Sequence, residues 1–448
     1  MEPFLQSSLP KSLSKFRLLA LVFINIGVEI SWASEYSFAV PLLQSLGLSE
    51  SDAGMAYLAA ALLSIYFLPF IGKLSDRSHC SFGKRRPFIF VFSMTAIISA
   101  LVLPSVPYFT LLSHKYRVFV CFFLIAFMDL SFKLLESLAH SIVIDVCPSH
   151  QQVTGNLWFS WSVGTGSVLG YLLASFDLFE MFPVLGSVFS SEMAAQFTIA
   201  ASIFFFSMLF TICFAKEPVP SIFSSNKSIF KDITTTLKRL PKLFKTLIWI
   251  QILSWISIFA VFQFTTTFFG TEVFGGDPET SPELFTKGVK VGSLALTGGS
   301  VICLVAAPLI SAIIGKDSCL FRIKLLYGLG HWLAGIGLLV ATMVPLGKTQ
   351  SVIAVSMLGF QTAVAFSLPF ALIERIVTND SDMGICSSLF CLAMATGQIF
   401  CTVGLSYLIS ITNTTSTALQ VAGGVSLLVC LFIFTKIPSK LKVISGIN

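Results

Sequence analysis

One apolar stretch of the 448-residue chain holds four ionisable side chains, Asp129, Lys133, Glu136 and His140. The last three follow the first by 4, 7 and 11 positions, and at about 100° per helical residue that spacing gathers all four on one line. A carboxylate and an ammonium one turn apart can neutralise each other, and a carboxyl left over can bind and release a proton. A second apolar stretch repeats the spacing with Asn25, Glu29, Trp32 and Tyr36. An amide, a carboxylate and two rings in a row suit a sugar, whose hydroxyls need buried donors and acceptors and whose C–H faces stack on aromatic rings. Glu35 lies about 80° off that line. Gln251, Trp255 and Gln361 are the candidates in the second half of the chain, and His331 beside Trp332 reads as packing.

Composition dictates what kind of element holds these groups. Hydrophobic residues make up 55% of the chain and charged residues 11%, with a mean hydropathy of +0.87; a soluble domain carries about 25% charge. An ordinary soluble enzyme is excluded. Apolar windows broken at charge, Pro and Gly give twelve predicted membrane helices, near 18–44, 53–74, 87–111, 118–144, 154–176, 194–215, 246–269, 289–314, 323–345, 351–376, 385–410 and 418–435. Most reach the roughly 20 residues that cross a hydrocarbon layer, and the shortest fall just below it. The expected fold class is an all-α membrane protein of two six-helix bundles, 18–215 and 246–435. A basic linker, 216–245, joins them, and tails 1–17 and 436–448 flank them.

Charge distribution sets the orientation. With the N-terminus inside, 22 of the 28 Lys and Arg residues fall on inner segments and five on outer loops, the bias that fixes topology through short loops. Both termini are therefore expected in the cytoplasm. Asp129 then lies about 11 residues, or roughly 16 Å, into its span and near the midplane, and Glu29 reaches a similar depth. A charge there costs at least about 2.5 kcal/mol against lipid, so both lines must face water or one another. Lys133 is spaced to pair with Asp129 and Glu136, which leaves Glu29 as the first choice for a proton carrier.

Seven-span receptors do not fit twelve spans, and no Walker loop, zinc spacing or Gly-x-Ser-x-Gly elbow is present. No enzymatic activity, metal site or cofactor is expected beyond a proton as coupling ion. The net charge of +6 has no soluble face to display it, so nucleic acid is not an expected partner. Cys121, Cys213, Cys303, Cys391, Cys401 and Cys430 lie in apolar runs and read as small buried residues.

The inner loop after the second span reads Gly72-Lys-Leu-Ser-Asp-Arg77, then Gly83-Lys-Arg-Arg-Pro-Phe-Ile89. Asp76 can cap a helix or pair with Arg, and Gly72 allows close approach, so Gly72, Asp76, Arg77, Gly83, Arg85, Arg86 and Asp145 form a candidate gating loop. This loop resembles that of the glycoside-pentoside-hexuronide branch of the major facilitators, specifically plant sucrose:proton symporters and the animal solute carrier family 45. Glu29 and Glu35 within Gly27-Val-Glu-Ile-Ser-Trp-Ala-Ser-Glu35, Met128-Asp129 through Asp145-Val-Cys147, Phe268 through Pro278, and Ser367-Leu-Pro-Phe-Ala-Leu-Ile373 extend the resemblance over most of the chain. Two departures stand out: His140 occupies the place of an Arg in plant relatives, and Thr267 that of an acid in animal ones.

The resemblance implies proton-coupled symport of a sucrose- or glucose-like sugar by alternating access between two parallel repeats. A small-molecule sugar and membrane lipid are the expected partners, a monomer is the expected functional unit, and plasma membrane and acidic organelle are both allowed as location. A facilitator or exchanger of another polar solute, and a non-transporting membrane scaffold, are the alternatives.

Overall fold

A computed structural model describes residues 13–76, 78, 80–111, 113–148, 152–217, 241–314, 320–376 and 380–438. Long helices account for nearly all of it, because backbone polar groups in lipid must be satisfied within the segment itself. In the first half they are α1 (Lys15–Ser45, broken at Phe23), α2 (Ala56–Asp76), α3 (Arg86–Val102), α4 (His114–Val146), α5 (Gln152–Ser175) and α6 (Glu192–Phe214). The second half supplies α7 (Lys242–Phe268), α8 (Pro282–Ile314), α9 (Leu320–Met343), α10 (Leu358–Ile376, led in by Lys348–Ser356), α11 (Asp380–Thr412) and α12 (Ser416–Lys436). Among the described residues eleven helices are apolar and long enough to cross a membrane. The remaining expected span is also helical, as the 24-residue α5.

Several helices outrun their predicted windows. α4, α8 and α11 each have 33 residues, about 50 Å of rise against a hydrocarbon thickness of about 30 Å. Their ends carry charges such as Glu283, Lys287 and Lys290, which break an apolar window without breaking the backbone ladder. Charge marks where lipid ends, and the helix ends elsewhere.

α1 packs on α4, α5 and α6, and the bundles meet where α5 lies along α8, α2 along α11 and α1 against α7. Large side chains such as Phe119, Phe206 and Trp249 stay exposed on the outside, as expected where lipid is the solvent. Cys213, expected to be buried, is exposed on α6; an apolar run shows that a residue avoids water, not that it faces protein. Most of the linker, both extreme tails, Arg77 and the side chain of Asp76 lie outside the described residues.

Candidate functional site

A cavity of about 750 Å³ opens between the bundles. α1 contributes Glu29, Trp32 and Tyr36, α4 Glu136, α5 Ser167 and Tyr171, and α7 Trp255, Phe259 and Phe262. A smaller space of about 380 Å³ adjoins it, walled by Trp32, Lys133 and Glu136.

The helix line on α1 explains the wall. Trp32 and Tyr36, one turn apart, stack with centroids 6.1 Å apart and planes at 17°. Tyr36 continues the stack across the bundle boundary onto Phe262, at 5.5 Å and 29°. Two contacts lock the indole of Trp32: its Nε1–H donates to Asp129 Oδ1 at 3.1 Å, and the Lys133 ammonium stands 5.3 Å from the ring centroid. Behind the ring, Lys133 forms an ion pair with Asp129, whose side chain is fully buried. The pairing offsets the cost of placing either charge away from water.

Glu29 faces the cavity and accepts the Ser167 hydroxyl on Oε2 at 2.7 Å. That contact needs α5 very close to α1. Gly166 allows it, since a Cβ there would lie 2.5 Å from the Ile26 carbonyl oxygen and 2.7 Å from Glu29 Cβ. Glu136 lines both spaces.

Other expected site residues are placed off the cavity wall. Asn25 and Glu35 are buried, with the Asn25 amide nitrogen and both Glu35 carboxyl oxygens lacking hydrogen-bond partners among the described residues. His140 stacks on Phe159 of α5 at 3.6 Å, one turn beyond the carboxylates. Gln251 donates to the Ala365 carbonyl at 3.4 Å, and Gln361 accepts from Ser257 and donates to the Ser254 carbonyl, each at 3.4 Å. These two amides join α7 to α10. Trp255 does reach the cavity, and its indole N–H has no acceptor among the described residues.

The 2/3 loop is fastened within the first bundle. Arg85 Nε donates to Asp145 Oδ2 at 3.1 Å, its Nη1 reaches Ser75 Oγ at 2.5 Å and the Gly72 carbonyl at 3.5 Å, and Lys84 pairs with Asp145 at 3.0 Å. Glu217, absent from the residues expected at this loop, accepts the backbone N–H groups of Lys84, Arg85 and Arg86 at 2.7, 2.8 and 3.1 Å. It caps the start of α3, where the helix dipole favours an anion. Arg86 pairs with it at 3.7 Å and donates to the Ile212 carbonyl at 3.2 Å. Gly83 makes the turn with φ +125, a conformation that suits glycine. An acid just past an apolar run, in a basic segment, was the available signal.

At the opposite end, Lys290 of α8 reaches Asp177 at 3.0 Å and Glu192 at 2.5 Å, tying the second bundle to the first. A hydrogen bond with Glu192, followed by one with Lys290, holds the Asp177 carboxyl down at about 2. Thr415 donates to Glu50 at 2.6 Å, and Ser293 to Ser37 at 3.2 Å. By the charge bias this is the end expected to face outward.

A family profile described as Major Facilitator Superfamily matches residues 18–377. The chain is 28% identical to the General alpha-glucoside permease of Schizosaccharomyces pombe over 319 residues, 68% of this chain but 57% of the permease. It is 24% identical to Sucrose transport protein SUC4 of Arabidopsis thaliana over 436 residues, covering 88% of this chain and 84% of that one. Among solved structures it superposes on the nucleoside transporter NupG with a TM-score of 0.63 at 14% identity, covering 94% and 98% of the two chains. A POT family transporter bound to 5-aminolevulinic acid gives 0.64 at 15%, covering 94% and 96%. These likenesses describe the fold.

Proposed function

The chain belongs to the Major Facilitator Superfamily, and from that premise we propose that it carries a sucrose- or glucose-like sugar together with protons by alternating access. It is a multi-pass membrane protein of a transporter family, not an enzyme. One observation carries the sugar reading: the Trp32–Tyr36 stack and the carboxylates of Glu29 and Glu136 share one cavity wall between the bundles. Ring faces and carboxylates together are what a sugar needs, the first for its C–H face and the second for its hydroxyls. The two relatives named for sucrose and α-glucoside transport support the same substrate class.

Glu29 is the proposed proton carrier, because Asp129 is held by Lys133 while Glu29 meets the cavity with the Ser167 hydroxyl as its one hydrogen-bond partner among the described residues. Proton and sugar together must favour rearrangement more than either alone, which makes coupling a difference in affinity between two states. Both bundles that enclose the cavity come from one chain, so a monomer suffices. The proposed site of action is the plasma membrane, with an acidic organelle as alternative and both termini cytoplasmic.

Proteoliposomes with an imposed pH gradient and a panel of labelled sugars test this. A gradient of one pH unit is worth about 1.4 kcal/mol, so one-to-one coupling allows about tenfold accumulation. Wild type should approach that value and Glu29→Gln should only equilibrate. Sugar entry indifferent to the gradient would make the protein a facilitator, no flux of any solute would favour a scaffold, and uphill uptake by Glu29→Gln would remove Glu29 from the coupling.

A further inference from the structure

One partner of Asp129 comes from the other bundle. Its Oδ1 takes the Trp32 Nε1–H and the Lys133 ammonium, while Oδ2 accepts the side-chain N–H of Gln398, on α11, at 3.2 Å. Both Asp129 and Gln398 are fully buried, and the Gln398 amide oxygen has no donor among the described residues. Burying that amide for one bond is poor economy if stability is all that is gained, since an apolar pair of similar shape does as well. The neighbouring Gly397 seats α11 against α7: a Cβ there would lie 2.7 Å from the Ile252 carbonyl oxygen and 2.8 Å from Trp255 Cβ. Contacts therefore run from Trp32 through Asp129 and Gln398 to the backbone that carries Trp255. The cavity's two tryptophans, one from each bundle, are joined behind its wall.

We propose that Gln398 is a positioning residue that couples bundle closure to cavity occupancy, by donating to Asp129 when Trp32 and Trp255 stand at the spacing of this conformation. The proposal rests on reading the cavity as the transport site. A ligand gripped by both tryptophans fixes their spacing and so favours the bond. Rocking breaks it, because α4 and α11 belong to different bundles. The acceptor is charged and dry, conditions under which one hydrogen bond matters most. The titratable groups around Asp129 are Lys133 on its own helix with Glu136 beyond it, Glu35 and Tyr36 on α1, and Tyr57 on α2. The amide of Gln398 is a donor that does not titrate among them, and giving it a proton to lose provides the test.

Gln398→Leu removes the donor; Gln398→Glu donates when protonated and repels Asp129 when ionised. In proteoliposomes, Gln398→Leu should lower uptake about tenfold at every pH from about 5 to about 8, as expected for loss of one charge-assisted bond. Gln398→Glu should approach wild type at the acid end and fall to the Leu level at the alkaline end. Identical pH profiles for the two variants, both folded by thermal melting and size exclusion, would overturn the proposal. Spin-label distances give a readout that needs no sugar. With labels on Val184→Cys and Thr349→Cys, exposed positions on the expected outer ends of the two bundles, in a background where the exposed Cys80 and Cys213 are replaced by Ser, Gln398→Leu should deplete the outer-tied population about tenfold. An unchanged distribution would also overturn it. A shifted distribution in a protein that moves no sugar would support the coupling and sink only the substrate reading.

Discussion

Replacing Glu217 by Ala removes the acceptor from three backbone N–H groups at once, those of Lys84, Arg85 and Arg86. The side chain being lost is 3% exposed, so water does not freely replace it. A helix cap is worth about 0.5–2 kcal/mol, and three bonds to one buried carboxylate belong at the upper end, about 2 kcal/mol. Local opening of the first turn of α3 should then be about thirtyfold more frequent. Glu217→Gln keeps an amide oxygen in place but gives up the charge, for about 1 kcal/mol and about fivefold. Hydrogen exchange followed by mass spectrometry on peptides covering 83–90 measures this directly. Exchange in Glu217→Ala within about twofold of wild type, in folded protein, would refute the capping argument.

Trp32→Leu loses the Asp129 bond, the Lys133 contact and the Tyr36 stack together, so uptake should fall by more than about tenfold, with Trp32→Phe recovering part of it through the stack; equal loss in both would place the ring outside the ligand contact. Gly166→Val forces a side chain against the Ile26 carbonyl and should sharply reduce the yield of folded protein, by a clash costing about 1–3 kcal/mol, which fluorescence-detected size exclusion will show. The Asp177 carboxyl sits at about 2 when folded, below its free value, so its hydrogen bond with Glu192 and its tie to Lys290 contribute above the free value and are lost only as pH falls through about 2. Asp177→Asn also removes the hydrogen bond that helps to raise the Glu192 carboxyl, so any midpoint this pair contributes to the pH profile of uptake should move toward acid, and an alkaline displacement would contradict this.

Periodicity and the cost of charge in lipid were enough to predict the helices and to mark Glu29, Trp32, Tyr36 and Glu136, because both are local properties of the chain. The same spacing also marked Asn25 and His140, which turn away from the cavity, since a line on a helix has a direction only once a neighbour covers part of it. Gln398 carries the same signal as Gln251 and Gln361, a polar amide in an apolar run, and nothing in its local spacing sets it apart. Its partner stands 269 positions away in the other bundle, and no rule of local spacing reaches that far. Lys290 is likewise an ordinary lysine until folding sets it between Asp177 and Glu192. The sequence by itself determined which segments enter the membrane and which residues are too costly to leave in lipid. Only tertiary packing decided which of those residues share a wall and which cross from bundle to bundle, because pairing across helices depends on distances that chain position does not encode.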